Sequence, residues 1–202
     1  MITATVPFPP ISWWAKAIKA EAIKFDLQES YQKMTYRNRY YLASPNGKQL
    51  MSLPLESGRN QRLPVADVKL FNASGWQSNH WKTITSLYRR SPFFEYYEHL
   101  LQPLFENGYE YLHQFNIAGI KLINQILGLQ LSFAETEAFV KNYPEQILDV
   151  RNIMLPKEEG KNGSAEYYQV FAERTGFVSD CSILDLLFCE GNYANEILLK
   201  TV

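Results

Sequence analysis

The sequence predicts a single α/β domain, with a mixed β-sheet built mainly from the N-terminal half and helices mainly from the C-terminal half. Three observations carry this prediction: short β-branched runs near the start, an Asn-Gly hairpin signal, and helical periodicity from about Trp76 onward. A chain of 202 residues fits one hydrophobic core, so residues 1–202 are expected to form one domain. An α+β arrangement is the alternative.

Residues 2–27 are expected to form a β-α-β unit. Residues 2–6 are β-branched and apolar, which is typical of a short buried strand, and Pro7-Phe8-Pro9-Pro10 ends it. A helix is predicted through residues 13–20 and a second strand over residues 22–27. Such a unit places the loop after its first strand at the carboxyl edge of the sheet, where open α/β sheets bind ligands. We therefore expect residues 7–14 at that edge.

The clearest local signal is a β-hairpin. Residues 39–44 and 49–53 flank Asn46-Gly47, the dipeptide favoured in a type I′ turn. Residues 65–70 are a further strand candidate, and residues 129–133 are expected to return as a strand after the main helices. Helices are predicted over residues 76–88, from Pro92 to Gly108, over 109–127, over 167–174 and from Ser182 onward, with an exposed loop at residues 157–163.

The composition excludes several classes of protein. Charged residues make up 20% and hydrophobic residues 46%, which indicates a folded rather than a disordered chain. A formal net charge of -1 argues against a nucleic-acid partner, which would require a strongly basic surface. No apolar run approaches the length of a transmembrane helix and no signal peptide is recognisable, so the expected location is cytoplasmic. The oligomeric state is left open.

No standard catalytic or cofactor motif occurs in the sequence. There is no GxSxG, phosphate loop, GxGxxG or CxxC, so the sequence identifies no cofactor. The three histidines lack metal-ligand spacing, and no metal site is predicted. Cys181 and Cys189 are expected as buried free thiols, because eight residues along a helix separate them by two turns.

Residues 31–41 are the densest concentration of chemistry in the chain. This stretch holds three cations, two amides and four tyrosines, and it contains no acidic residue. If it were one strand, Lys33, Arg37 and Arg39 would share a face and form a clamp for phosphate or carboxylate. An edge strand protected by charge is the alternative. Asn38 would face away from the clamp unless a bulge or break preceded it. The candidate ligand-binding residues are Lys33, Tyr36, Arg37, Asn38, Arg39 and Tyr88, with an anionic small molecule or nucleotide-sugar as the ligand.

Two further residues are candidates for catalysis. His80 lies between Trp76 and Tyr88 on one helix face, where burial would bring it into the range of a general base; the alternative is a core histidine bonded to a carbonyl. Asp185 stands in an apolar run, where an unpaired carboxylate would be destabilising. Its place in the first turn of a helix, with pairing to a cation of residues 31–41, is the structural alternative.

At these residues the chain resembles the WbqC-like protein family, in a form similar to a Bacteroidetes-type branch. The resemblance rests on Pro7-Phe8-Pro9-Pro10, residues 31–39, Trp76 and His80 before Tyr88, Ser91-Pro92-Phe93-Phe94, and residues 182–188. The chain departs from the family pattern in two places. Ala4-Thr5-Val6-Pro7 replaces the early His-Gln-Pro, and Glu166-Tyr167-Tyr168-Gln169 replaces a glycine segment.

The resemblance implies a bacterial protein linked to surface-polysaccharide (O-antigen) biosynthesis. Two hypotheses follow. The first is a group transferase acting on a nucleotide-sugar or glycan precursor. The second is a non-catalytic binding or assembly protein of the same pathway, and it draws support from the absence of a catalytic signature.

Overall fold

The computed structural model of the chain describes residues 1–58, 60–152 and 163–201, and it contains both strands and helices. They are, in chain order, β1 Ile2–Thr3, α1 Ile11–Ala17, β2 Ile23–Phe25, β3 Arg39–Ser44, β4 Gly47–Ser52, α2 Trp76–Tyr88, α3 Phe94–Glu106, α4 Leu112–Ile126, β5 Phe133–Glu135, α5 Ala172–Thr175, α6 Ile183–Glu190 and α7 Ala194–Lys200. The predicted α/β class is confirmed.

The parallel strands form one group and the hairpin another. The parallel group has the order β1-β2-β5, with Ile2 opposite Lys24 and Lys24 opposite Ala134. Helix α1 connects the first two strands, which confirms the predicted β-α-β unit. Strands β3 and β4 pair antiparallel, which confirms the predicted hairpin. The predicted type I′ turn is wrong, because that turn needs a positive φ at both central residues, whereas Ser44 pairs with Gly47 across the turn and, of residues 45–47, Gly47 alone has a positive φ, of 91°.

The predicted strand over residues 31–41 is broken. Residues Tyr36–Asn38 form a single 3-10 turn. The Thr35 hydroxyl caps this turn by accepting a hydrogen bond from the Arg37 N–H. Strand β3 begins only at Arg39. Successive side chains therefore do not alternate between two faces throughout residues 31–41. The strand is broken at the 3-10 turn, which is the condition under which Asn38 need not face away from the cations.

Other element predictions differ in detail. Residues 65–70 are not a strand: Val65–Asp67 is a 3-10 turn, followed by isolated bridges at Lys69 and Leu70. The helix predicted over 167–174 is confined to α5, and the returning strand begins four residues later than expected, at Phe133. Except for Gly163, the loop predicted over 157–163 lies outside the described residues.

The first loop of the chain is buried. Residues 7–14 were expected at the carboxyl edge of the sheet, where ligands bind, and all of them are buried, with Phe8, Trp13 and Trp14 fully enclosed. Phe8 takes a positive φ of 41° and packs against Tyr40 and Phe115. The aromatic content of this loop, together with its proline-fixed backbone, serves packing.

Helix α6 closes the core. Residues Ile183 to Cys189 are all buried, and the Ser182 hydroxyl accepts from the Leu184 N–H, as a helix cap does. The start of α6 is hydrogen-bonded to strand β3 and to the segment before α1: the Ser182 N–H donates to the Tyr41 carbonyl at 2.8 Å, and the Ile183 N–H donates to the Pro9 carbonyl at 3.1 Å. Cys181 and Cys189 are buried free thiols, as predicted.

None of the described helices is long and apolar enough to cross a membrane.

Candidate ligand-binding site around Arg37

The carboxyl ends of the parallel strands carry a buried ionic network. Asp26 follows β2 directly and is fully buried. Its Oδ1 accepts from the Glu29 N–H at 3.1 Å and from the Thr136 hydroxyl, just after β5, at 3.2 Å. Its Oδ2 accepts from Arg151 Nη1 at 2.6 Å, and Arg151 also pairs with Asp149. The carboxylate is thus neutralised and its lone pairs are occupied.

Arg37 lies against this network. Its Nε and Nη2 donate to the two carboxylate oxygens of Glu29 at 2.8 and 2.5 Å, a bidentate pair that is buried on both sides. Nη2 also reaches the Arg151 carbonyl at 3.5 Å. Burial raises the pKa of Glu29, and the hydrogen bond and charge of Arg37 act in the opposite direction. The Arg37 side chain is therefore held in place by Glu29.

The residues around Arg37 carry buried polar atoms without partners. Seven such side-chain atoms occur in the described part of the chain, and four belong here: Tyr31 Oη, Asn38 Oδ1, Arg39 Nε and Asn116 Oδ1. Buried polar groups are almost always hydrogen-bonded in folded proteins, so this concentration is unusual and makes the region a candidate site. We refer to Tyr31, Arg37, Asn38, Arg39 and Asn116 as the Arg37 cluster.

The members of the Arg37 cluster lie near one another. Asn116 Nδ2, from α4, donates to the Arg37 carbonyl at 3.0 Å. Asn38 and Arg39 follow Arg37 in the chain, and the charges of Arg39 and Arg37 both act on the Tyr31 hydroxyl. Burial raises the pKa of Tyr31 and outweighs those charges, so its hydroxyl keeps its proton at neutral pH and remains a donor.

The structure brings only part of the predicted ligand set together. Asn38 is buried and its Nδ2 donates to the Leu53 carbonyl at 2.9 Å, while the half-buried Arg39 has no ion pair among the described residues. Lys33 is exposed and donates to Asn60 Oδ1 at 3.1 Å. The predicted three-cation clamp is wrong, because the turn at Tyr36–Asn38 interrupts the strand and Glu29 takes Arg37.

Tyr36 is buried and packs edge-on against Tyr41. Sequence reasoning missed Asn116, although an amide inside the apolar stripe of a helix was a usable signal. It also missed Glu29, which lies two residues before the stretch that was noted for having no acid.

His80 is a buried residue next to the hairpin. It is 6% exposed, and Tyr40 Oη lies 3.0 Å from its Nδ1. Burial lowers the pKa of His80 to about 4, and a hydrogen bond with the Ser52 backbone opposes this only in part. The ring is therefore uncharged at neutral pH. These contacts match the alternative of a core histidine bonded to a carbonyl, and a catalytic role for His80 stays a prediction.

Asp185 is held by uncharged groups. Its carboxylate accepts from Tyr88 Oη at 2.6 Å, Tyr167 Oη at 2.5 Å and Gln169 Nε2 at 2.7 Å. Burial raises the pKa of Asp185, and these three hydrogen bonds oppose that rise. The expected pairing with Lys33, Arg37 or Arg39 is wrong, since Arg37 pairs with Glu29 and Lys33 with Asn60. The Tyr88 hydroxyl therefore donates to Asp185, and Tyr88 is not a member of the Arg37 cluster.

These features define the class of protein: an α/β fold with an ionic network at the carboxyl edge of its parallel strands and unpaired polar groups beside it. The model of the WbqC-like protein family matches residues 7–161, which is more than half of the 202-residue chain. The chain belongs to the WbqC-like protein family. No curated protein and no solved structure matches it.

Proposed function

We propose that the chain is a group transferase that acts on a nucleotide-sugar or glycan precursor in bacterial surface-polysaccharide (O-antigen) biosynthesis, and that it binds this ligand at the Arg37 cluster. The observation that carries the binding proposal is the set of four buried polar atoms without partners in this cluster. The pathway comes from the family resemblance, whereas the transferase class is a hypothesis motivated by the cations and amides of residues 31–41 in a chain that is otherwise near neutral.

The chemistry of the cluster suits a ligand that combines an anion with hydroxyl groups. Arg39 supplies a guanidinium without an ion-pair partner among the described residues, and guanidinium groups bind phosphate well. The free amide oxygens of Asn38 and Asn116 are acceptors for sugar hydroxyls, and the Tyr31 hydroxyl donates or accepts. The bidentate pair of Arg37 with Glu29 fixes the backbone from which Asn38 and Arg39 extend.

A non-catalytic binding protein of the same pathway is the second candidate. The enclosure of His80 and Asp185 favours it, since both are buried and engaged in hydrogen bonds within the protein. In either case the ligand binds at the same cluster, so the two candidates differ in turnover and not in the site.

Calorimetric titration with a panel of nucleotide-sugars, acyl-CoA and acyl-carrier donors tests the proposal. Arg39→Gln is expected to weaken the binding of the active compound by about tenfold or more, because it removes a charge-assisted hydrogen bond. Lys33→Gln is the matched control: it removes a cation from the same stretch, but one that is exposed and bonded to Asn60.

The control is expected to change the affinity by less than about twofold. If no compound of the panel binds, or if both variants weaken binding equally, the proposed site is wrong. NMR detection of product from a bound donor and acceptor separates the two candidates: turnover supports the transferase, and binding without turnover supports the binding protein.

A further inference from the structure

A groove along helix α2 shares no residue with the Arg37 cluster. It lies between the C-terminal half of α2 and the segment just before α5, and it encloses about 670 Å³. Its lining contains three cations, two hydroxyl groups and an apolar wall, and no carboxylate: Lys82, Thr85, Ser86, Leu87, Arg89, Arg90, Val170 and Phe171.

The three cations of the groove form no ion pair within the described part of the chain. Lys82, Arg89 and Arg90 are exposed, and none of them forms an ion pair with a described residue. Lys82, Ser86 and Arg89 follow one another at helical spacing, so they share one face of α2. Three like charges in one groove repel each other, which is unfavourable unless an anion binds there.

The helix dipole explains only part of this arrangement. Arg89 and Arg90 lie at the C-terminus of α2, where cations are favoured in any helix. Lys82 lies seven residues earlier, beyond the reach of that effect. The dipole also does not account for the wall formed by Val170 and Phe171, which makes the surface concave.

The two walls of the groove are fastened together by a buried group. Asp185 accepts a hydrogen bond from Tyr88, which lies in α2 beside Arg89. The same carboxylate accepts from Tyr167 and Gln169, which precede the apolar wall. These hydrogen bonds hold α2 and the segment before α5 at a fixed distance, so the groove is already formed in the folded protein.

We infer that this groove is a second binding site, which takes a small organic phosphate. The phosphate groups contact Lys82, Arg89 and Arg90, and the hydroxyls of Thr85 and Ser86 donate to phosphate oxygens. The flat or apolar part of the ligand packs on Val170 and Phe171. This site shares no residue with the Arg37 cluster.

Titration calorimetry with ADP and with inorganic pyrophosphate tests the inference. The double variant Arg89→Gln/Arg90→Gln is expected to weaken ADP binding by about tenfold or more, since it removes two charge-assisted contacts. The control Arg62→Gln/Lys121→Gln removes the same net charge from exposed positions outside the groove and is expected to leave the affinity within about twofold. Phe171→Ala should weaken ADP more than pyrophosphate.

Three results would overturn the inference. The first is that neither anion binds. The second is that the groove variant and the charge-matched control weaken binding equally, which would indicate general electrostatics. The third is that Arg39→Gln abolishes ADP binding while Arg89→Gln/Arg90→Gln does not, which would place the nucleotide at the Arg37 cluster. The same comparison keeps this inference separate from the proposed function.

Discussion

Asp26 and Asp185 are both completely buried carboxylates, but they are accommodated in opposite ways. Asp26 has the guanidinium of Arg151 at 2.6 Å, within a network that continues to Asp149. Asp185 has two tyrosine hydroxyls and one amide, and its hydrogen-bond partners carry no charge. The first arrangement is a buried ion pair, and the second is a buried carboxylate held by uncharged hydrogen-bond donors.

The difference teaches where charge matters in this fold. Around Asp26 the structure depends on a matched pair of charges, so removing one partner leaves the other unpaired in the interior. Around Asp185 it depends on hydrogen bonds, so the geometry of the donors matters more than the charge of the acceptor. The two regions should therefore respond differently to substitution and to pH.

The largest effect is expected at Arg151. Arg151→Met should lower the free energy of unfolding by about 3–5 kcal/mol, because it leaves the buried Asp26 without its cation. The measurement is urea denaturation followed by circular dichroism. Adding Asp26→Asn to this variant should recover part of the loss, since the amide oxygen still accepts from Glu29 and Thr136. A loss below about 1 kcal/mol for Arg151→Met alone would contradict the ion-pair account.

A smaller loss is expected at Asp185. Asp185→Ala should lower the free energy of unfolding by about 2–4 kcal/mol, because three buried donors lose their acceptor. Asp185→Asn should cost less, since one amide oxygen still accepts and the tyrosine hydroxyls can reorient toward the amide N–H. The same denaturation experiment compares the two variants. If they were equally destabilised, the charge of Asp185 and not its hydrogen bonding would be the important property.

The pH dependence of stability should differ in sign between the two regions. The pKa of Asp185 is raised in the folded state by burial, so the folded protein holds its proton more tightly than the unfolded chain. Relative to Asp185→Asn, stability should fall as pH rises from about 3.8 toward the raised pKa, by up to about 1.4 kcal/mol per pH unit.

Asp149 should show the opposite slope. Burial raises the pKa of Asp149, but its hydrogen bonds with Arg151 and the charge of Arg151 together hold it below its ordinary value. Its contribution to stability is therefore present above pH 3.8 and is lost as pH falls through the lowered pKa. Denaturation of Asp149→Asn and of the parent chain over pH 3–7 measures this. Slopes of the same sign in both comparisons would show that the two regions are not distinct.

The smallest effect is expected in a double-mutant cycle between Asp185 and Arg39. The backbone of Ala43 lies next to Asp185, and Arg39 precedes Ala43 by four residues of β3, about 13 Å along an extended strand. Asp185→Asn and Arg39→Gln should therefore be additive in the free energy of unfolding within about 0.5 kcal/mol. A coupling free energy above about 1 kcal/mol would contradict this expectation and support a direct interaction between Asp185 and Arg39.

Local signals in the sequence were enough for the hairpin and for the β-α-β unit. Gly47 takes the positive φ that glycine favours in a tight turn, and the two short apolar runs flank a helix within 27 residues, which is the pattern of a β-α-β unit. The break before Arg39 was not predictable in this way, because it depends on Glu29 holding Arg37 inside the protein.

The partners of Asp185 illustrate the same limit. Tyr88 lies 97 residues away in the chain and Tyr167 lies 18 residues away, so neither appears in any local pattern. The apolar run around Asp185 predicts a cation as the partner of its carboxylate, whereas the fold supplies two hydroxyl groups and an amide. The polar atoms of Asn38 and Asn116 were likewise brought together only by the packing of α4 against the start of the hairpin.

The position of α6 has a consequence for which fragment of the chain can stand alone. The family model ends at residue 161, whereas α6 begins at Ile183 and is tied to the Pro9 and Tyr41 carbonyls. Its five large apolar side chains are fully buried and contribute on the order of 10 kcal/mol, about as much as the entire stability of a typical domain. A polypeptide cut after residue 161 would therefore expose the faces of α1 and α3 that α6 covers and would aggregate. The region that the family model matches is shorter than the unit that folds, and residues 182–188, which also resemble the family, lie beyond the matched region.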